Sequence, residues 1–275
     1  FALNNYLASF QPEGSISGIS WGFSLMLMPQ IAIAQSVAIV SLPTFSRQVA
    51  LGKLDEMRSS LVSVLRSVLF LAIPATIGLI LLRNPLVAAI FQRNEFTSDS
   101  TMIVSWALLW YAAGLIGHCV VEIVSRAFYA LHDTKTPVTI GILAMVLNYG
   151  FSLLFSYLFL QWSWLPHGGL ALANSLATFL EMLILLWFMR KHLSGLNVGK
   201  LLNGVGMAAM ASIPMLIGLL LWNQFSANTS VFIQVGAGIL IGSGIYMAFI
   251  LLFKPPEIMA LFRMLKSRVM GTKSA

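Results

Sequence analysis

Seven stretches long and apolar enough to cross a lipid bilayer constrain this chain more than any other feature. They run over about 16-42, 63-82, 102-129, 138-160, 169-189, 203-222 and 231-253. A hydrocarbon core roughly 30 Å thick takes about 20 residues of helix to cross. In lipid, backbone polar groups must be paired internally, which leaves helices or closed barrels. The alternating ten-residue segments of a barrel are absent, so the fold class read here is all-α and polytopic. Residues 1-10 (FALNNYLASF) read as the end of one more such helix, closed by the turn Gln11-Pro12-Glu13-Gly14.

Lysine and arginine positions test the assignment, because cytoplasmic loops hold the excess of positive charge. With the turn at 11-15 outside, alternate connections place fourteen of the 16 basic residues inside, and only Arg83 and Arg93 outside. One helix more or fewer would scramble that split. The reading is a multi-pass membrane protein with its C-terminus on the cytoplasmic side. The net charge of +7 is dispersed through short gaps between apolar stretches, so it marks topology and not nucleic-acid binding.

Only 9% of residues are charged, against about 25% in soluble domains, and the connections are too short to hold a soluble catalytic domain. The single cysteine, Cys119, excludes an internal disulfide framework and Cys/His metal spacing. Nucleophile triads, HExxH and phosphate-binding glycine loops are also missing, so neither enzyme nor cofactor is expected. The inner connection at 43-62 has helical apolar spacing with mixed charge and is expected to lie along the membrane surface. The basic segment 254-275 is expected to be a cytoplasmic tail attracted to anionic headgroups.

Polar residues inside the crossings carry the functional information, since an ionisable group at mid-bilayer costs on the order of 2.5-3.5 kcal/mol. At 100° per residue Ser17, Ser20, Ser24 and Gln35 share one side of the 16-42 helix, which also contains Pro29. His118, Glu122 and Arg126 mark a second stripe, on 102-129, and Glu122 and Arg126 stand at the i, i+4 spacing of a local ion pair. Asn148 marks 138-160, while Asn174 and Glu181 mark 169-189. Such groups either hydrogen-bond between helices or line an aqueous cavity or gate. The last two apolar stretches, 203-253, carry small residues instead, including Gly238-x-x-x-Gly242, a close-packing signal. They are expected to pack on each other and present an apolar groove.

The string Arg126-Ala-Phe-Tyr-Ala-Leu-His-Asp-Thr-Lys-Thr-Pro-Val138 resembles a signature of the MurJ/MviN family, with Asp133, Thr134, Lys135, Thr136 and Pro137 as its centre. Segments 8-17 (ASFQPEGSIS), 42-56 (LPTFSRQVALGKLDE), 91-97 (FQRNEFT) and 167-171 (HGGLA) are similar to further family segments in the same order. The resemblance implies a MOP/MATE-like helical bundle, here the C-terminal half of a fourteen-helix exporter. The C-terminal lobe would occupy 11-193 and two additional helices 203-253.

The resemblance further implies transport of lipid II, an undecaprenyl-linked peptidoglycan precursor, by alternating access. A cationic cavity would take the headgroup, and a groove of the last two helices the polyprenyl tail. Ser24 stands where such flippases normally carry an arginine, and Glu122 where a basic residue is frequent. Two alternatives therefore stay open: an exporter of another polyprenyl-linked saccharide or of drugs, and a non-transporting scaffold for cell-wall synthesis proteins. Membrane lipids are expected partners in each case; nucleic acid is not.

Overall fold

The computed structural model describes residues 2–93 and 96–253. Among them the chain is helical throughout, without strands, and seven helical spans are long and apolar enough to cross a membrane. A short α1 (Ala2–Ala8) precedes the first span, which comprises α2 (Ser15–Gln30), a π-turn (Ile31–Gln35) and α3 (Ser36–Ala50). Then follow α4 (Leu54–Phe91), α5 (Ser98–Ala130), α6 (Lys135–Gln161), α7 (His167–His192), α8 (Val198–Phe225) and α9 (Val231–Leu252). The all-α, seven-crossing reading agrees with this. The turn 91-97 lies partly, and the basic segment 254-275 wholly, outside the described residues.

One expectation needs correction. The connection 43-62 is not a separate surface helix: α3 runs through it to Ala50, and α4 starts at Leu54 after a turn at Gly52 (φ +69°). Its apolar residues Phe45, Met57 and Leu61 are fully buried against the bundle, and Gln48 donates to the Ser60 hydroxyl across the turn (2.9 Å). At 1.5 Å per residue, the 36-residue first span measures roughly 54 Å, well beyond the hydrocarbon core. Pro29 has no N–H, and just beyond it the chain makes an i→i+5 turn that ends at Gln35, with Ser36 N–H reaching back to Ile31 C=O.

α5 is the central helix, packed on α2, α4 and α7. Its seams are built on small residues. A Cβ on Gly22 of α2 would stand 3.0 Å from both Ala107 Cβ and Leu108 N of α5. A Cβ on Gly114 would strike Ser175 of α7, and one on Gly169 of α7 would strike the Phe155 carbonyl carbon of α6 at 2.6 Å. In lipid, close backbone approach of this kind supplies the van der Waals contact that holds helices together.

α8 and α9 pack on each other and on α4. Gly238 and Gly242 do form a close seam, against Leu82 of α4 and Leu219 of α8 respectively. Two interior prolines of α4 set this packing. Pro74 leaves the Phe70 carbonyl without its helical donor, and the Tyr246 hydroxyl of α9 donates to it at 2.6 Å. Pro85 does the same to the Leu81 carbonyl, which accepts from Asn223 Nδ2 of α8 at 3.0 Å. Each proline thus frees an acceptor that a neighbouring helix satisfies.

Candidate functional site

The polar residues singled out above fall into three places. On α5, Arg126 donates to one carboxylate oxygen of Glu122 through Nη2 (2.9 Å) and Nε (3.2 Å). Their side chains remain 31% and 25% exposed, so the pair borders the bundle surface instead of being sealed inside it. A paired, hydrogen-bonded arrangement is what makes two charges tolerable at such a site.

Deeper in the α5–α7 seam, His118 Nε2 lies 3.2 Å from Asn174 Oδ1 and 3.5 Å from Thr178 Oγ1. These groups hydrogen-bond between helices, the packing alternative of the two left open above. Phe23 of α2 stacks edge-on against both Tyr111 and His118, which ties the first span to this cluster. Asn148 joins a separate polar core. Ser152, fully buried, donates to Asn148 Oδ1 (3.2 Å) and stands 3.5 Å from Asn4 Oδ1 of α1. Gln11 Nε2 donates to Ser156 on the same helix (3.1 Å). The short α1 is thereby held against α6 by polar contacts.

Ser17, Ser24 and Gln35 are exposed, and Ser20 is half-buried. The Ser24 hydroxyl donates back to Ser20 C=O (2.8 Å), which is the local bond a serine makes when no other partner is at hand. Glu181 is half-buried near Gly141 of α6 and meets no hydrogen-bonding group or cation among the described residues. The structure therefore joins His118 with Asn174 and Glu122 with Arg126, but gathers neither pair with Ser17, Ser20, Ser24, Gln35, Asn148 or Glu181. No group of three or more His, Cys, Asp or Glu able to hold a metal occurs among the described residues.

The signature segment is a helix junction. α5 ends with Asp133 N–H on Phe128 C=O and His132 N–H on Tyr129 C=O, with His132 in the left-handed region at φ +60°. Asp133 then caps α6, accepting from the Thr136 amide (3.0 Å) and the Thr136 hydroxyl (2.6 Å). Lys135 opens the helix and Pro137 sits in its first turn, where a missing N–H is tolerated. His192, at the end of α7, lies 3.3 Å from the same carboxylate. The Thr136 hydroxyl foremost, then the Thr136 amide and the His192 imidazole, hold the Asp133 carboxyl below its usual range.

A groove of about 650 Å³ opens between α2, α4, α8 and α9, lined by Met28, Pro29, Pro74, Leu82, Gly242 and Met247 among others. Its walls are apolar almost throughout. Gly238 and Gly242 carry no side chain into it, and Tyr246, whose hydroxyl is taken up by Phe70, presents only its ring. Small residues in the last two stretches were the signal for this groove. Its other wall, α4, was not legible as such.

Residues 1–237 match the family model for the lipid II flippase MurJ. A "Probable lipid II flippase MurJ" of Vibrio cholerae is 34% identical over 221 residues, which cover 80% of this chain and 40% of that protein. A "Lipid II flippase MurJ" of Burkholderia cenocepacia is 29% identical over 190 residues, covering 69% of this chain and 36% of that one. A solved structure of lipid II flippase MurJ, in an inward closed conformation, superposes with a TM-score of 0.75 at 25% identity, over 91% of this chain and 50% of the other. The chain thus spans about two fifths of the length of the curated relatives and half that of the solved one. With the helical bundle, the junction signature and the family match in agreement over most of its length, this chain belongs to the MurJ lipid II flippase family.

Proposed function

We propose that this chain is the tail-binding half of a transporter that moves a polyprenyl-linked peptidoglycan precursor, lipid II, across the bacterial cytoplasmic membrane. The observation that carries the reading is the apolar groove held open between α4 and the α8–α9 pair. It borders the first span through Leu25, Met28 and Pro29, and the N-terminal half of that span bears Ser17, Ser20 and Ser24. A lipid tail in that groove would leave its headgroup beside the first span and its hydroxyls. Transport here moves a molecule and breaks no bond, so no catalytic residue is assigned. Alternating access would come from rocking of the bundle against a second half. The fourteen-to-two split of basic residues supports an orientation with the α3–α4 turn, the α5–α6 junction and the C-terminus at the cytoplasmic side.

Ser24 favours one narrower variant. A hydroxyl engaged with its own backbone accepts or donates one hydrogen bond to a phosphate but neutralises no charge. Cargo with a less anionic headgroup, still polyprenyl-linked, would suit this half better. Rescue of a strain depleted of its lipid II flippase by the full-length gene tests the main reading. Growth restored by the wild type and abolished by R126A supports it; failure of well-expressed wild type to restore growth, with another polyprenyl-linked saccharide exported instead, supports the variant.

A further inference from the structure

A second cavity, of about 630 Å³, lies where α4 and α8 begin and α7 ends, and it shares no residue with the apolar groove. Three helices each bring one cation to it: Arg58 from α4, Arg190 from α7 and Lys200 from α8. The single carboxylate in the lining, Asp55, is 90% exposed and pairs with Arg58 at 3.0 Å. Arg58 is also fixed by donating Nε–H to the Leu193 carbonyl (3.1 Å) at the end of α7. Arg190 and Lys200 meet no carboxylate among the described residues, so the pocket keeps a net positive charge. The space is kept clear by two glycines: nothing stands within 4 Å of a Cβ at Gly195 (φ +126°), and a Cβ at Gly199 would meet only Asn197 Oδ1, at 3.9 Å.

We propose that this pocket binds a phosphate-bearing anion, in the membrane the headgroup of an anionic phospholipid. Guanidinium and ammonium groups converging from three helices match the oxygens of a phosphodiester. The site lies at one end of the bundle, where three spans meet the headgroup layer, and basic pockets between helices at that depth attract anionic lipids. Val62, Leu196 and Val198 form an apolar wall beside the cations. That combination fits the glycerol and upper acyl region of a lipid better than free phosphate. Occupation would brace the 193-197 elbow, and with it the α8–α9 pair against α7.

The test is native mass spectrometry of the purified full-length protein with phosphatidylglycerol, with phosphatidylcholine and with inorganic phosphate. The R190Q/K200Q variant removes both unpaired cations at exposed positions, and K191Q, whose ammonium lies over the Trp187 ring outside the pocket, is the control. Phosphatidylglycerol binding is expected to fall roughly tenfold or more in R190Q/K200Q. It should stay unchanged in K191Q and be salt-sensitive throughout, with phosphatidylcholine binding unaffected. Inorganic phosphate binding with the same dependence on R190Q/K200Q would identify free phosphate as the source of the same chemistry. Equal phosphatidylglycerol and phosphate binding by wild type and R190Q/K200Q would overturn the site. Because the readout is binding and not transport, its failure leaves the transport reading untouched.

Discussion

The Tyr246 hydroxyl donates a 2.6 Å hydrogen bond to the Phe70 carbonyl, the acceptor that Pro74 leaves without a helical partner four residues on. Asn223 and Leu81 repeat the arrangement at Pro85. Two helices far along the chain are thereby latched to α4 at the positions where its own ladder is broken, and the latch sets one side of the groove.

The latch can be weighed by a double-mutant cycle. Y246F leaves the Phe70 carbonyl buried without a donor and should cost about 1-2 kcal/mol. P74A restores the missing N–H, so Y246F in that background should cost well under half as much. Unfolding of the purified full-length protein in detergent titrations measures both. Equal costs in the two backgrounds would mean that the hydroxyl is not answering the proline.

At the α6–α7 seam, a Cβ on Gly169 would stand 2.6 Å and 2.7 Å from the backbone carbonyl of Phe155, atoms that cannot move aside without displacing α6. G169A should therefore destabilise by roughly 1-3 kcal/mol. G206A, where nothing lies within 4 Å of the added methyl, should be neutral or slightly stabilising through helix propensity. Thermal unfolding of the two variants side by side distinguishes the seam from a general intolerance of alanine.

Removing one partner of the Glu122–Arg126 pair strands the other. E122L should impair stability or transport clearly more than E122Q, because the amide still accepts from the guanidinium while leucine leaves a half-buried cation unpaired. A growth-rescue comparison, normalised for membrane expression, reads the difference. Indistinguishable, near-wild-type rescue by both would place the pair in open water.

The α5–α6 junction should be acid-sensitive. Asp133 has its carboxyl depressed in the fold, chiefly by the Thr136 hydroxyl. Its contribution is thus fully present above the unfolded-state value near 3.9 and fades as pH falls through the lower folded value. D133N removes the negative charge from the start of α6 and should weaken the junction by about 0.3-1 kcal/mol near neutral pH. It should also flatten the loss of stability below about pH 4. Unfolding of D133N and wild type across pH 2-6 shows whether their curves converge at the acid end, as they should.

Much of this fold was legible in the chain because the bilayer imposes a length and a hydrophobicity on each crossing. The i, i+4 spacing of Glu122 and Arg126 and the Gly238-x-x-x-Gly242 seam were legible for the same reason: both are local patterns on one helix. What was not legible depends on pairs of helices. The Gly22 contact with α5, the capture of Phe70 C=O by Tyr246 and the bond between His118 and Asn174 each require knowing which helices meet. The 43-62 stretch was misread because a helix that leaves the hydrocarbon core keeps its ladder while its sequence turns polar. For the DTKTP signature, the sequence showed only a family resemblance; Asp133 capping α6 and reaching His192 is its physical content.

The central claim is that this half grips a prenyl tail while a headgroup crosses the membrane. The most direct measurement reconstitutes the full-length protein in liposomes holding lipid II with a fluorescent headgroup, and follows loss of the inner-leaflet signal to a membrane-impermeant quencher. Wild type should expose the protected pool, and G78L, which fills the groove from a position where an added Cβ meets only Met215 Cε at 3.7 Å, should slow that exposure at least tenfold while remaining folded. A protected pool that stays protected with wild type, or exposure at full rate with the groove filled, would contradict the account.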